Sequence, residues 1–78
     1  MDHGRKIERA SLSKRETEVA ELMHKGCNNR SIAKELNITE RTVKFHIGNI
    51  YKKYRVQNRI AFLLDTRTVS FERNESLR

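Results

Sequence analysis

Basic and aromatic side chains recur on one side of a stretch between residues 39 and 55. Wound as an α-helix at ~100° per residue, the stretch places six residues on one face: Arg41, Lys44, Phe45, Gly48, Lys52 and Arg55. Cationic side chains can neutralise phosphates, and an aromatic ring among them can contact a base. Glu40 is the only acidic residue of the stretch, whereas a solvated helix face usually mixes both signs. The pattern therefore predicts a helix that lies on nucleic acid.

The opposite face of the same stretch is apolar, which predicts that it packs on a protein core. Its residues follow one another at steps of four, three and four: Val43, Ile47, Ile50 and Tyr54. Thr39 precedes the first turn, where its hydroxyl can accept a free backbone amide. We therefore predict a helix over about residues 40–54, with one face for the core and one for a ligand.

The composition is that of a single basic domain. The 78 residues include 17 Lys and Arg against 10 Asp and Glu, which gives a net charge of +7. This excess favours a polyanion as partner, with a membrane surface as the competing choice. No apolar run approaches the ~18 residues of a membrane span, and the N-terminus is charged where a signal peptide is apolar. We expect a cytoplasmic location and no membrane association.

The chain offers no convincing catalytic or metal-binding set. Cys27 is the only cysteine, which suits a reducing compartment. It is open whether Cys27 is a redox-sensitive thiol or, as we favour, a small space-filling residue in a turn. His46 has no second His or Cys at metal-ligand spacing, so a packing role is favoured. Because a Ser/His/Asp set, a glycine-rich phosphate loop and an apolar carboxylate pair are also missing, we expect neither an enzyme nor a cofactor.

Two further helices are predicted before residue 40. Ser13 and Glu16 form a capping box for a first helix over about residues 14–25, which Gly26 ends. Asn28 caps a short second helix over about residues 29–36, and Asn37 tolerates a left-handed turn after it. A short helix, a tight turn and a capped longer helix form the helix-turn-helix pattern. The apolar positions of these two helices are Val19, Ala20, Leu22, Met23, Ile32, Ala33 and Leu36.

A fourth helix is predicted over about residues 59–66, capped by Asn58. We expect the core to be covered by Ile60, Leu63 and Leu64. Ala61 and Phe62 fall elsewhere on the circumference, so the helix is apolar on more sides than a lone surface helix needs. We therefore expect Ala61 and Phe62 to form an interface with a second copy of the chain.

The predicted fold class is all-α, with four helices in one domain. Residues 1–11 are polar and without periodicity, which predicts an arm or linker. Residues 12–67 are predicted to form the folded domain. Residues 68–78 are predicted to form a polar tail.

Four segments together resemble the LuxR-type (LuxR/FixJ/GerE) helix-turn-helix domain. They are residues 12–19 (LSKRETEV), 26–33 (GCNNRSIA), 38–46 (ITERTVKFH) and 56–61 (VQNRIA), in the family's order and spacing. The resemblance implies a bacterial transcription regulator whose third helix enters the major groove of double-stranded DNA on the nucleoid. It also implies a homodimer through the fourth helix, with RNA polymerase as a further candidate partner. In that family the domain is usually the C-terminal output of a larger regulator.

The third helix supplies the candidates for reading DNA sequence. Lys44 could donate to guanine O6 or N7, or else to a phosphate, and both are open. Phe45 could cover a thymine methyl, the alternative being burial under a flanking loop or arm. The base-reading candidates are Lys44, Phe45, Gly48 and Asn49. The phosphate-contacting candidates are Asn29, Arg30, Thr39, Arg41, Thr42 and Lys52.

Three residues depart from the family's pattern. Asn28 stands where serine or threonine is usual, which keeps the cap. Arg55 stands where glycine or asparagine is common, so we expect the third helix to end differently there. Gly48 replaces a longer outward residue at a cost of ~0.5–1 kcal/mol relative to alanine, which indicates either a close approach to DNA or one lost contact. Two other functions stay open: a promoter-reading domain of a sigma factor, and a protein-interaction module that has lost DNA binding.

Overall fold

A computed structural model describes residues 12–68, which form four helices. They are α1 (Lys14–His24), α2 (Asn29–Leu36), α3 (Glu40–Tyr54) and α4 (Arg59–Asp65). Within this range no strand is present, and the predicted all-α class is confirmed. The predicted arm, residues 1–11, lies outside the described residues, as do residues 69–78 of the predicted tail. None of the helices in residues 12–68 is long and apolar enough to cross a bilayer.

Each helix begins where a side-chain oxygen accepts a free backbone amide. At α1, Ser13 Oγ accepts from Glu16 N at 3.0 Å while Glu16 Oε1 accepts from Ser13 N at 3.0 Å, which is the predicted capping box. The other three caps are Asn28, Thr39 and Asn58. In each of them the side-chain oxygen accepts from the backbone N–H three residues later, at 2.8–3.1 Å. A cap of this kind stabilises a helix by ~0.5–2 kcal/mol. All four predicted caps are confirmed, so the starts of the helices are set by local sequence.

The two helices of the helix-turn-helix end in left-handed residues. Asn37 closes α2 with φ 60°, as predicted, and Ile38 then packs partly buried against the core. Arg55 closes α3 with φ 59° and ψ 43°. Glycine and asparagine favour this same conformation at helix ends, so the expectation that Arg55 would change the end of α3 is wrong. Arginine adopts it at a steric cost of ~1–2 kcal/mol.

The core lies where α3 packs across α1 and α2. The apolar stripe of α3 is buried as predicted, and Val43 and Ile50 are fully buried. Leu22 and Leu36 are partly buried at the edge of the core. The buried hydrophobic residues of the three helices are Val19, Ala20, Met23, Ile32, Ala33, Val43, Ile47, Ile50 and Tyr54. Because α3 is held along this one stripe, its opposite face is left to solvent.

The orientation predicted for α4 is wrong. Phe62, expected at an interface with a second copy, is 0% exposed and belongs to the core. Ile60 and Leu64, expected in the core, are 70% and 57% exposed. Leu63 is partly buried against the core, as expected, and Ala61 is half-buried. The outward face of α4 therefore consists of different residues from those predicted.

Aromatic packing explains this orientation. The Phe62 ring lies 5.7 Å from His24, 6.2 Å from Tyr51 and 5.4 Å from Tyr54, measured between ring centroids. These rings belong to α1 and α3, so Phe62 fills the space that the two helices leave at one end. A phenylalanine side chain buries ~150–250 Å², more than Ile60 or Leu64 could contribute at the same place. The seven-residue helix α4 is therefore oriented with Phe62, its largest side chain, in the core.

A partly buried ion pair joins α1 to the last turn of α3. Glu16 is 6% exposed, and its Oε1 accepts from Lys53 Nζ at 2.7 Å as well as from the Ser13 amide. Burial raises the pKa of the Glu16 carboxyl, but hydrogen bonds from Lys53 and Ser13 and the charges of Lys53 and His46 outweigh burial. The pKa of Glu16 is therefore lowered below its usual value of 4.5. The carboxylate stays charged and links the two helices.

Replacing Glu16 with glutamine is expected to destabilise the domain by ~1–3 kcal/mol near neutral pH. Because the folded-state pKa lies below 4.5, the contribution of the carboxylate is present above that pH and is lost as the pH falls through the folded-state value. The gap in unfolding free energy between wild type and Glu16→Gln should therefore be full above about pH 4.5 and close as the pH falls below that value. Urea unfolding at several pH values measures it.

The exposed carboxylate of Glu35 on α2 offers a matched control for this experiment. Glu35→Gln should change the unfolding free energy by no more than ~0.5 kcal/mol. A gap for Glu16→Gln that stays constant with pH would contradict the role of the ion pair.

Candidate nucleic-acid interface

The outer stripe of α3 is the solvent-facing side of that helix and consists of Arg41, Lys44, Phe45, Gly48 and Lys52. The three cationic side chains are exposed, and Phe45 is 65% exposed. At this exposure, burial of the Phe45 ring under a loop of residues 12–68 is excluded. A Cβ added at Gly48 would meet nothing within 4 Å. The stripe thus offers cations, one apolar ring and a stretch of bare backbone.

His46 and Asn49 lie beside the outer stripe and are both half-buried. The His46 ring meets the Phe45 ring edge to face, with centroids 5.7 Å apart and planes at 63°. His46 was predicted to be a hydrogen-bonded packing residue, and this ring contact agrees with the packing part of that prediction. Within residues 12–68 no three metal-ligating side chains cluster. His46 supports the exposed phenylalanine and so helps to present it.

The hydroxyls of Thr39 and Thr42 form a short chain at the start of α3. Thr39 Oγ1 accepts from Thr42 N at 3.1 Å and donates to Thr42 Oγ1 at 3.0 Å. The single hydroxyl hydrogen of Thr39 is therefore used within the turn. Thr42 accepts at its oxygen and keeps a hydrogen to donate outward. A helix N-terminus of this kind also favours an anion through its amides and dipole.

The start of α2 places two more candidate side chains near this surface. Arg30 is exposed, while Asn29 is half-buried and its Oδ1 accepts from Arg59 Nη1 at 3.2 Å. Arg59 also donates from Nη2 to the Cys27 carbonyl oxygen at 2.6 Å. Cys27 itself packs partly buried against the core, as expected of a space-filling residue. Arg59 of α4 therefore holds the turn between α1 and α2 in place through these two hydrogen bonds.

Sequence reasoning missed two residues that hold this surface in place, Lys53 and Arg59. No local pattern points to a role for Lys53, because its partner Glu16 lies 37 residues away in the chain. Arg59 did carry a signal. It occupies the first position of α4, where the helix dipole disfavours a cation. A basic residue at such a position requires compensating acceptors, which the Cys27 carbonyl and the Asn29 amide provide.

Comparison with known proteins agrees with this geometry. Residues 10–65 match the family described as bacterial regulatory proteins, luxR family. The chain belongs to the luxR family. It is thus a helix-turn-helix DNA-binding domain of a family of transcription regulators, which are not enzymes. In this domain α2 and α3 form the helix-turn-helix, and the outer stripe belongs to its second helix.

Several curated regulators are similar to this chain. The nitrate/nitrite response regulator protein NarP of Escherichia coli (strain K12) is 44% identical over 50 residues, which cover 64% of the chain and 23% of NarP. The transcriptional regulatory protein DegU of Brevibacillus brevis is 42% identical over 55 residues, or 70% of the chain and 23% of DegU. The CsgBAC operon transcriptional regulatory protein of E. coli (strain K12) is 41% identical over 71 residues, or 91% of the chain and 30% of that regulator.

The chain spans 23–30% of the length of these three relatives. No solved structure matches it significantly.

Gly48→Ala is expected to raise the unfolding free energy of the free domain by ~0.5–1 kcal/mol, because alanine loses less backbone entropy in a helix. The added Cβ has open space around it. Gly26→Ala is the matched control: its Cβ also meets nothing within 4 Å, but Gly26 has φ +90°, so alanine there is strained and should destabilise. Thermal unfolding of both variants measures the two effects, and a destabilised Gly48→Ala would contradict the environment described for Gly48.

Proposed function

We propose that this domain binds specific double-stranded DNA sites through α3 in the major groove and thereby regulates transcription. The observation that carries the proposal is the division of α3 into a buried stripe and an exposed basic stripe with Phe45 in its middle. The relatives are named as response or transcriptional regulators, which supports the regulatory part. RNA polymerase is then a further candidate partner.

Base reading is assigned to Lys44, Phe45, Gly48 and Asn49. Lys44 can donate to guanine O6 or N7, and the exposed Phe45 ring can cover a thymine methyl. The bare backbone at Gly48 leaves room for a base edge to approach the helix closely. Asn49, half-buried at the border of the outer stripe, can offer its amide to adenine. These contacts supply sequence preference.

Phosphate contacts are assigned to side chains at the start of α2 and near both ends of α3. They position the helix without reading sequence. The hydroxyl of Thr42 and the exposed guanidinium of Arg30 suit this role. The full set is Asn29, Arg30, Thr39, Arg41, Thr42 and Lys52, and Thr39 can donate to a phosphate only if its hydroxyl turns away from Thr42 Oγ1. Each neutralised phosphate steepens the salt dependence, with a log–log slope of about −0.9 per contact.

Phe45→Ala is expected to weaken binding to a site selected from a random duplex pool by about tenfold or more, and binding to random DNA much less. The reason is that a base contact discriminates by ~1–3 kcal/mol. Lys52→Ala is the matched control on the same stripe. It should weaken both DNAs alike and make the salt slope shallower by ~1. Fluorescence anisotropy at several salt concentrations measures both effects. Equal losses for Phe45→Ala on both DNAs would remove Phe45 from base reading.

A homodimer through α4 is the second part of the proposal, with a corrected surface. Phe62 is excluded because it fills the core, so the surface is assigned to Ile60 and Leu64, bordered by the half-buried Ala61. Ile60 and Leu64 lie one helical turn apart and are both more than half exposed. Burying them against a second copy removes apolar surface from water on both subunits. Because the patch is small, we expect a dimer that forms mainly on DNA.

Leu64→Glu is expected to abolish cooperative binding to a palindromic duplex whose half-sites lie about 34–36 Å apart. Binding to a single half-site and the helical content should persist, because Leu64 is 57% exposed in the monomer. Asp65→Asn, at the exposed neighbouring position, serves as control and should keep cooperativity. Mobility-shift titrations on one-site and two-site duplexes measure the effect. Cooperative binding by Leu64→Glu would place the dimer contact elsewhere.

Two alternatives make different predictions. A promoter-reading domain of a sigma factor does not need to pair with itself, so the exposed Ile60 and Leu64 argue against it. An interaction module that has lost DNA binding should show no salt-dependent affinity for duplex DNA. The titration of wild type at two salt concentrations separates it from the DNA-binding domain.

A further inference from the structure

Arg59 is the residue of α4 that reaches the turn ahead of α2. Its two terminal nitrogens are used separately: Nη1 donates to Asn29 Oδ1 at 3.2 Å and Nη2 to the Cys27 carbonyl oxygen at 2.6 Å. The planar guanidinium thereby bridges a side chain and a backbone group two residues apart. Such a fork holds both acceptors in fixed directions, which an ammonium on a flexible stem does not.

The bridge determines which way the Asn29 amide points. A guanidinium has only donors, so the amide atom that faces Arg59 is the oxygen. The amide nitrogen is bonded to the same trigonal carbon and therefore points away from the guanidinium. Asn29 can donate a hydrogen bond only through this nitrogen. A phosphate oxygen, which only accepts, needs that nitrogen rather than the oxygen.

Asn29 and Arg59 also border a common open cleft of about 550 Å³. Arg30 and Glu40, at the starts of α2 and α3, line the same cleft. The cleft thus lies beside the N-termini of both helices of the helix-turn-helix. A DNA strand that passes these N-termini would come close to the Asn29 amide.

We propose that Arg59 is a positioning residue for DNA binding: it turns the Asn29 amide so that its nitrogen donates to a backbone phosphate. The inference rests on the proposed function, in which Asn29 is a phosphate contact. It explains why a cation occupies the first position of α4, where the dipole opposes it. Arg59 acts through Asn29 and is not itself a phosphate contact.

The test is a double-mutant cycle on a duplex that carries a single selected half-site, so that dimer formation plays no part. Asn29→Ala and Arg59→Ala should each weaken binding about tenfold, the loss expected for one hydrogen bond to a charged group. The double variant should bind no more weakly than Asn29→Ala alone. The salt slope should stay unchanged in all three, because a neutral amide releases no counterion. Arg59→Lys should resemble Arg59→Ala, since the fork is lost.

Three outcomes would overturn the inference. Losses that add in the double variant would mean that Arg59 and Asn29 act independently. A salt slope shallower by about 1 in Arg59→Ala, or wild-type affinity in Arg59→Lys, would mean that Arg59 contacts a phosphate by its own charge. Circular dichroism checks folding, and if Arg59→Ala unfolds, Arg59→Lys takes its place in the cycle. Failure of wild type to bind duplex DNA at all would instead refute the proposed function, which makes the two failures distinguishable.

Discussion

Helix α3 is held along one side only, and the arrangement of the other helices follows from that constraint. The stripe of Val43, Ile47, Ile50 and Tyr54 packs on α1 and α2, and every apolar layer of the domain meets it. Had α3 been covered on two sides, its basic side chains would have had no access to a polyanion. Because it is covered on one, its buried apolar contacts with α1 and α2 lie along a single stripe.

The two ends of α3 are fixed by different kinds of interaction. At the N-terminal end, the left-handed Asn37 and the buried side of Ile38 set the turn from α2. At the C-terminal end, the Phe62 ring packs on Tyr51 and Tyr54, while Glu16 and Lys53 form an ion pair. An ion pair of this burial is costly unless its remaining hydrogen bonds are satisfied, and the capping box supplies one of them. Local and long-range interactions thus share the same carboxylate.

Local sequence signals predicted the starts of all four helices and the two faces of α3, since caps and periodicity act within one or two turns. They did not predict which face of α4 packs on the core. Because Ile60 to Leu64 are five apolar residues in succession, the sequence pattern does not determine the inward face of this seven-residue helix. That face depends on the shape of the space between His24, Tyr51 and Tyr54, which exists only after α1 and α3 have packed. The partner of Arg59 was hidden for the same reason.

Because α3 packs on the core along one side only, the residues that hold the fold together are different from those that face a ligand. Substitutions among the exposed side chains of the outer stripe leave the buried seam untouched, so the fold does not constrain which side chains face the ligand. The seam and the Phe62 contacts allow no such freedom, because a change there shifts the whole helix relative to its support. The exposed face of α3 can therefore change in sequence while the support of the helix stays the same.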